Sequence, residues 1–247
     1  MPNLFALPFQ VKICGLTSPQ QAADAVAAGA DAIGLNFYEP SVRYITEKEA
    51  VLIANTTRGK TQSTPKIVGV FVNHPVDQIL QLTTSVKLDG IQLHGDETVE
   101  FFANLKEAVA KNFELNSRPF FVRALRTQPN NGHTSASQEL ETQRVIEQIQ
   151  AWSVSGVDAI LIDAAATGEF GGTGKSIDWT LLPRLQSSCN CPLALAGGLK
   201  PSNVRQAIEI SRVNMVDVAS GVESTRGTKC PDLVAKFVHE VRLAFKS

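Results

Sequence analysis

The segment VKICGLTSPQQAADAVAAGADAIGLNF, residues 11–37, contains one complete strand–helix–strand repeat. Its apolar runs at 11–14 and 32–37 predict two short strands, and the alanine-rich segment at 18–28 predicts a helix between them. Ser18 followed by Pro19 is a typical helix start, and Gly29 is a typical helix end. A helix that links two consecutive strands indicates that the strands are parallel.

The same alternation continues along the chain, with further strands predicted at 67–72, 90–93, 120–124, 159–163, 193–196 and 216–219. Helices are predicted at 46–56, 76–85, 98–111, 138–152, 178–186, 202–211 and 232–245, and Thr46 with Glu49 forms a capping box at the start of the first of these. Eight such units predict an α/β fold, a single (β/α)₈ TIM barrel domain over residues 1–247.

Two segments do not fit the alternation. Residues 1–9 form a short N-terminal extension, and the polar, turn-rich segment at about 127–138 forms an exposed insertion on the catalytic side of the fifth strand. Neither has the apolar content of a separate domain, and the role of the insertion, including a lid role, is left open.

The composition favours a small-molecule partner. Lys and Arg total 23 against 24 Asp and Glu, which is not the basic balance of a nucleic-acid-binding protein. No apolar run reaches the ~20 residues of a membrane-spanning helix. Residues 1–10 lack a basic segment and contain Pro2 and Pro8, which argues against a secretory signal, so a cytoplasmic location is expected.

The cysteines are not spaced as a disulfide framework or a zinc site. Cys189 and Cys191 form a C-x-C pair beside Pro192, for which structural thiols are the favoured interpretation and metal or redox chemistry the alternative.

In a barrel of this kind the active site lies at the C-terminal ends of the strands, and phosphate is commonly bound after strands seven and eight. Gly197-Gly198 and Ser220-Gly221 occupy those two ends, where backbone N–H groups can approach an anion. The alternative is that these glycines only form tight turns. The glycine-rich segment at 171–175 lacks the spacing of a nucleotide-binding P-loop and is expected to act as a flap, whose Gly172 lends an N–H group to the phosphate.

Three side chains near strand ends are candidates for chemistry. Cys14 ends the first strand as a possible general base, and loop N–H groups are expected to lower the pKa of its thiol; an inert core cysteine is the alternative. Asp163 ends an apolar strand and is a functional carboxylate or a loop cap. Arg43 follows the second strand and can bind a substrate carboxylate or form a surface salt bridge. Lys12, in phase with Cys14, predicts a buried ion pair with Asp217.

Taken together, these residues lie in motifs that resemble those of phosphoribosylanthranilate isomerases in the same order over residues 11–245. The motifs are VKICGLT (11–17), GLNFY (34–38), SVRYI (41–45), GVFVN (69–73), IQLHG (91–95), LIDA (161–164), GGTGK (171–175), DW (178–179), LAGGL (195–199) and VDVASGVE (216–223).

The resemblance implies an enzyme of tryptophan biosynthesis that converts N-(5-phosphoribosyl)anthranilate to 1-(2-carboxyphenylamino)-1-deoxyribulose 5-phosphate without a cofactor or metal. It implies that Cys14 is the general base, Asp163 the general acid, and Arg43 the ligand of the anthranilate carboxylate. A monomer or homodimer is expected. His94 and Arg123 lie near the ends of strands four and five, and their roles stay open between ligand contact and structure.

Two alternatives remain. Another phosphosugar barrel enzyme would need a catalytic lysine or metal-binding histidines and aspartates at the strand ends, and neither set is evident. A non-catalytic phosphometabolite-binding barrel would have lost the acid or the base, but Cys14 and Asp163 are both retained.

Overall fold

The computed structural model describes residues 8–58, 64–127, 135–163 and 178–246. Its strands form a closed parallel barrel in chain order, as predicted. They are β1 (Val11–Cys14), β2 (Ala32–Asn36), β3 (Lys66–Phe71), β4 (Gly90–Leu93), β5 (Phe120–Arg126), β6 (Ala159–Asp163), β7 (Leu193–Ala196) and β8 (Met215–Val218). A short antiparallel hairpin of β9 (Glu223–Thr225) and β10 (Thr228–Lys229) follows β8.

Each predicted helix is present among the described residues. They are α1 (Pro19–Ala27), α2 (Glu47–Arg58), α3 (Val76–Val86), α4 (Val99–Asn112), α5 (Ser135–Ser155), α6 (Leu182–Ser187), α7 (Val204–Ser211) and α8 (Pro231–Ala244). The largest differences from prediction are at α5, which is longer at both ends, and at α6, where a 3₁₀ turn over Trp179–Leu181 replaces the first predicted turn. Most of the polar insertion and of the N-terminal extension, residues 128–134 and 1–7, lies outside the described residues.

The predicted helix caps are confirmed. The N–H of Gln21 donates to the Ser18 hydroxyl at 3.3 Å, with Pro19 in the first turn of α1. The N–H of Glu49 donates to Thr46 Oγ1 at 3.3 Å, and the N–H of Thr46 donates back to the Glu49 carboxylate at 2.8 Å. These reciprocal bonds satisfy amide groups that have no partner within the helix.

Alternation along the strands divides the buried residues into two layers. In β6, Ala159 and Leu161 belong to the cluster inside the barrel, whereas Ile160 and Ile162 pack in the layer between barrel and helices. Because side chains alternate between the two faces of a strand, Asp163 continues the inward series and reaches the C-terminal end of the barrel. Phe9 joins the inner cluster just before β1, so the end of the N-terminal extension helps to fill the opposite end of the barrel.

The barrel closes between β1 and β8, where Lys12 is in register with Asp217. Nζ of Lys12 lies 3.0 Å from Oδ1 of Asp217, and the two side chains are 0% and 7% exposed. The predicted buried ion pair is therefore confirmed. No helix in the described part of the chain is both long enough and apolar enough to cross a membrane.

Candidate active site

A pocket of about 710 Å³, including its open mouth, lies at the C-terminal ends of the strands. Its walls bring together every candidate site residue that the structure describes: Cys14, Arg43, Asp163, Gly197, Gly198, Ser220 and Gly221. Gly172, the remaining candidate, lies outside the described residues. Residues from the ends of five strands or from the loops after them therefore share one cavity, as expected for this barrel.

Cys14 projects into the barrel beside the Lys12–Asp217 pair. Burial raises the pKa of its thiol above the ordinary value of 9.0, and Asp217 raises it further, while the Lys12 ammonium offsets only part of this effect. The expectation that loop N–H groups lower the pKa of Cys14 is therefore wrong. Burial alone would lower the pKa of Lys12, but attraction to Asp217 and Cys14 outweighs it, so the pKa of Lys12 is raised and the ammonium stays charged.

Gly34 makes room for the Cys14 thiol. A Cβ atom at position 34 would lie 2.6 Å from Sγ of Cys14 and 3.0 Å from its Cα. Because neither the Cys14 backbone nor its neighbouring strand can move freely, any side chain on residue 34 would displace the thiol from the pocket.

Asp163 is buried and is contacted by a histidine from β4. Oδ2 of Asp163 lies 3.2 Å from Nε2 of His94, and Nδ1 of His94 lies 2.8 Å from the amide nitrogen of Gln92. The contact with the Gln92 amide orients the imidazole so that Nε2 faces the Asp163 carboxylate. His94 thus lies beside the candidate acid and lines the pocket.

Arg43 is buried rather than at the surface, and it forms a two-pronged ion pair with Glu223 at the start of β9. Nε and Nη2 of Arg43 donate to the two carboxylate oxygens at 2.7 and 2.8 Å. Lys229 of β10 donates to the same carboxylate at 2.6 Å. Burial opposes ionisation of Glu223, but the bonds from Arg43, Lys229 and the Gly227 N–H outweigh it and lower the pKa of Glu223 to about 2.

The two glycine loops differ in how they depend on glycine. Gly197 and Gly198 have φ of 81° and 66°, a left-handed conformation that L side chains rarely adopt. At Gly221 the constraint is space, because a Cβ atom there would lie 1.7 Å from the carbonyl oxygen of Leu199. Glycine therefore allows the loops after β7 and β8 to pack directly against each other at the mouth of the pocket.

Sequence reasoning did not identify Gln92, Glu223 or Lys229 as part of the site. Glu223 lies 180 residues from Arg43 in the chain, so no local pattern links the two side chains. Arg123 has a structural role instead: its guanidinium lies 2.6 Å from the Glu97 carboxylate and stacks 4.6 Å from the centre of the Trp152 ring. Of the two roles left open for Arg123, ligand contact and structure, its ion pair with Glu97 therefore supports the structural one.

Comparison with known proteins agrees with this geometry. Residues 11–240 match the family described as N-(5'phosphoribosyl)anthranilate (PRA) isomerase. The N-(5'-phosphoribosyl)anthranilate isomerase of Acinetobacter calcoaceticus is 36% identical over 94% of this chain and 96% of its own length.

Two solved structures have closely similar folds. One is of monomers of the dimeric phosphoribosylanthranilate isomerase of Thermotoga maritima, with a TM-score of 0.72 and 31% identity over 95% of this chain and 98% of that one. The other, a phosphoribosylanthranilate isomerase in complex with reduced 1-(o-carboxyphenylamino)-1-deoxyribulose 5-phosphate, has a TM-score of 0.72 and 30% identity with the same coverage. The match extends over nearly the whole barrel, and the chain belongs to the N-(5'-phosphoribosyl)anthranilate isomerase family.

Proposed function

We propose that Cys14 and Asp163 perform the acid–base chemistry by which this isomerase of tryptophan biosynthesis converts N-(5'-phosphoribosyl)anthranilate to 1-(2-carboxyphenylamino)-1-deoxyribulose 5-phosphate. The observation that carries the proposal is their placement. Both side chains end inward-facing series on their strands, and both line the pocket that the two glycine loops border. An Amadori rearrangement needs one proton donor and one proton acceptor at the same sugar, and Asp163 and Cys14 reach this pocket from two different strand ends.

In the first step Asp163 protonates the furanose ring oxygen, so the C1–O bond breaks and the anthranilate nitrogen forms a Schiff base with C1. In the second step Cys14 removes the proton from C2, and the electron pair moves to give an enolamine. Tautomerisation of the enolamine then yields the aminoketose. The reaction exchanges protons only and leaves the atom count of the substrate unchanged, as an isomerisation requires.

Lys12 assists the second step electrostatically. Its buried ammonium interacts with the Cys14 thiol and with Asp217, so it favours the thiolate, although less strongly than burial opposes it. Because the pKa of the thiol is raised, the thiolate is a stronger base than an ordinary cysteine thiolate once it has formed.

Substrate binding is divided between the two sides of the pocket. Glu223 occupies the Nε–Nη2 edge of Arg43, so the anthranilate carboxylate is bound through Nη1 on the other edge. The phosphate is bound by backbone N–H groups of Gly197, Gly198, Ser220 and Gly221, and the glycine content of the segment at 171–175 favours a further N–H from Gly172.

The direct test is to incubate the purified protein with freshly made phosphoribosylanthranilate and to follow the loss of its fluorescence. Enzyme-dependent loss, with formation of the aminoketose, is the expected result. Saturable substrate binding with no turnover would overturn the catalytic assignments.

We further propose a cytoplasmic protein, monomeric or homodimeric, that folds as one domain. A dimeric relative exists in the family. Analytical ultracentrifugation distinguishes the two oligomeric states, and a single cooperative unfolding transition in denaturant is expected for one domain.

A further inference from the structure

Cys189 and Cys191 form a close pair of thiols that the isomerase chemistry does not use. They lie in the turn between α6 and β7, at the N-terminal end of β7, whereas the glycines of the pocket follow its C-terminal end. The two Sγ atoms are 3.1 Å apart. That separation is only ~1 Å longer than a covalent S–S bond.

The polypeptide around the pair is held in place by side-chain bonds. The Gln186 amide donates to the Cys191 carbonyl at 3.1 Å and accepts the Leu193 N–H at 3.0 Å. The Asn190 N–H, between the two cysteines, donates to the Ser153 hydroxyl at 2.8 Å. These bonds hold the backbone between and after the two cysteines, so the fold keeps the two residues next to each other.

The two thiols have different environments. The hydrogen bond between the two thiols lowers the pKa of Cys189 to about 7, against the opposing effect of burial, and the Cys191 N–H and the Ser153 hydroxyl add to the lowering. The same hydrogen bond and burial raise the pKa of Cys191. Cys189 is also the more exposed of the two, since Cys191 is buried. Near neutral pH about half of the partly exposed Cys189 is therefore thiolate, and the buried Cys191 beside it stays protonated.

We propose that Cys189 and Cys191 are a redox-active dithiol that closes to an intramolecular disulfide by exchange with a small-molecule disulfide such as oxidised glutathione. The Cys189 thiolate attacks one sulfur of glutathione disulfide, forms a mixed disulfide, and releases one glutathione thiolate. Cys191 then loses its proton and attacks Sγ of Cys189, which forms the protein disulfide and releases the second glutathione. Two protein thiols are oxidised and one glutathione disulfide is reduced, so atoms and electrons balance.

The test treats the reduced protein with oxidised glutathione near neutral pH and measures intact masses and linked peptides. The wild type should lose two hydrogens without retaining glutathione, and its peptides should contain a Cys189–Cys191 link. Cys191→Ser should instead retain one glutathione on Cys189, because the resolving thiol is missing. Cys189→Ser should form no link, and Cys230→Ser, the matched control, should behave as the wild type.

The rate of modification provides a second measurement. In Cys191→Ala, which has no side-chain hydrogen-bond donor at position 191, labelling of Cys189 should be slower than the first exchange step of the wild type. In the wild type, Cys189 should react with oxidised glutathione at a rate about 10-fold higher than Cys230, since about half of the Cys189 thiol is ionised near its pKa. A stable glutathione adduct on wild-type Cys189, or modification no faster than at Cys230, would refute the proposal. Unchanged isomerase activity of the reduced variants shows that they are folded and keeps this result separate from the catalytic assignments.

Discussion

Nε2 of His94 lies 3.2 Å from Oδ2 of Asp163, and the Gln92 amide contacts the other ring nitrogen at 2.8 Å, which holds the imidazole facing the carboxylate. The carboxylate is thereby oriented by a donor from a strand two positions away in the barrel. His94 does not need to exchange a proton with the substrate to affect the rate, because the position of the acid relative to the ring oxygen depends on it.

Replacement of His94 by leucine should lower kcat by about 10²-fold while KM changes little, because the acid loses its orienting bond. His94→Gln should restore part of kcat, since its amide can again donate toward Asp163. Steady-state kinetics on both variants measures the effect. Equal kcat in His94→Leu and the wild type would show that the contact has no role in turnover.

Cys14→Ala should reduce kcat by about 10²–10⁴-fold and leave substrate binding nearly intact, because the carboxylate and phosphate contacts come from other residues. Asp163→Asn should cause a loss of similar size. Near-wild-type turnover in either variant would refute its catalytic role and leave the fold assignment intact.

The pH dependence of the wild type tests the environment of Cys14. The base acts as the thiolate, and burial raises the pKa of its thiol above 9.0, so kcat on the alkaline side of neutrality should increase with pH. Removal of the neighbouring ammonium by Lys12→Met should move this increase to still higher pH. A wild-type profile that is flat above neutral pH would contradict the raised pKa of Cys14.

Glu223→Gln should destabilise the protein by about 3 kcal/mol at neutral pH, because Arg43 and Lys229 then remain buried without a counter-charge. The folded-state pKa of Glu223 is about 2, below its ordinary value of 4.5, so its ionisation stabilises the fold above pH 4.5. This contribution is lost as the pH falls from 4.5 through about 2.

Urea denaturation of wild type and Glu223→Gln at a series of pH values measures the difference. The gap in unfolding free energy should be constant near neutrality and should narrow below pH 4.5. Glu209→Gln is a suitable control, because its exposed pair with Arg205 should contribute under ~1 kcal/mol. A gap that is independent of pH would exclude Glu223 as the titrating group.

Gly221→Ala should weaken phosphate binding, because the new methyl group would clash with the Leu199 carbonyl and push the two glycine loops apart. KM for the substrate should rise, and inhibition by inorganic phosphate should weaken in parallel. Gly29→Ala is a useful control, because it also places alanine at a positive φ, at the end of α1 and away from the pocket. Unchanged phosphate inhibition in Gly221→Ala would exclude this loop as the phosphate site.

Much of this arrangement could be predicted from local sequence. Alternation with a period of two places Asp163 in phase with Leu161, and barrel closure brings Lys12 next to Asp217. The sign of the Cys14 pKa shift could not be predicted, because it depends on how completely distant parts of the chain bury the thiol. The partner of Arg43 was missed for the same reason, since Glu223 reaches it only after β8 has joined β1.

The Lys12–Asp217 pair also constrains the order of folding. Its two residues are 205 positions apart, so almost the whole barrel must be synthesised before the ammonium can meet its carboxylate. Until then Lys12 has to remain in water, because burying it alone is strongly unfavourable. Closure of such a long loop is also entropically costly. Formation of this ion pair therefore closes the barrel and completes the surroundings of Cys14 at the same moment, and a chain that lacks β8 is expected to have neither the pair nor isomerase activity.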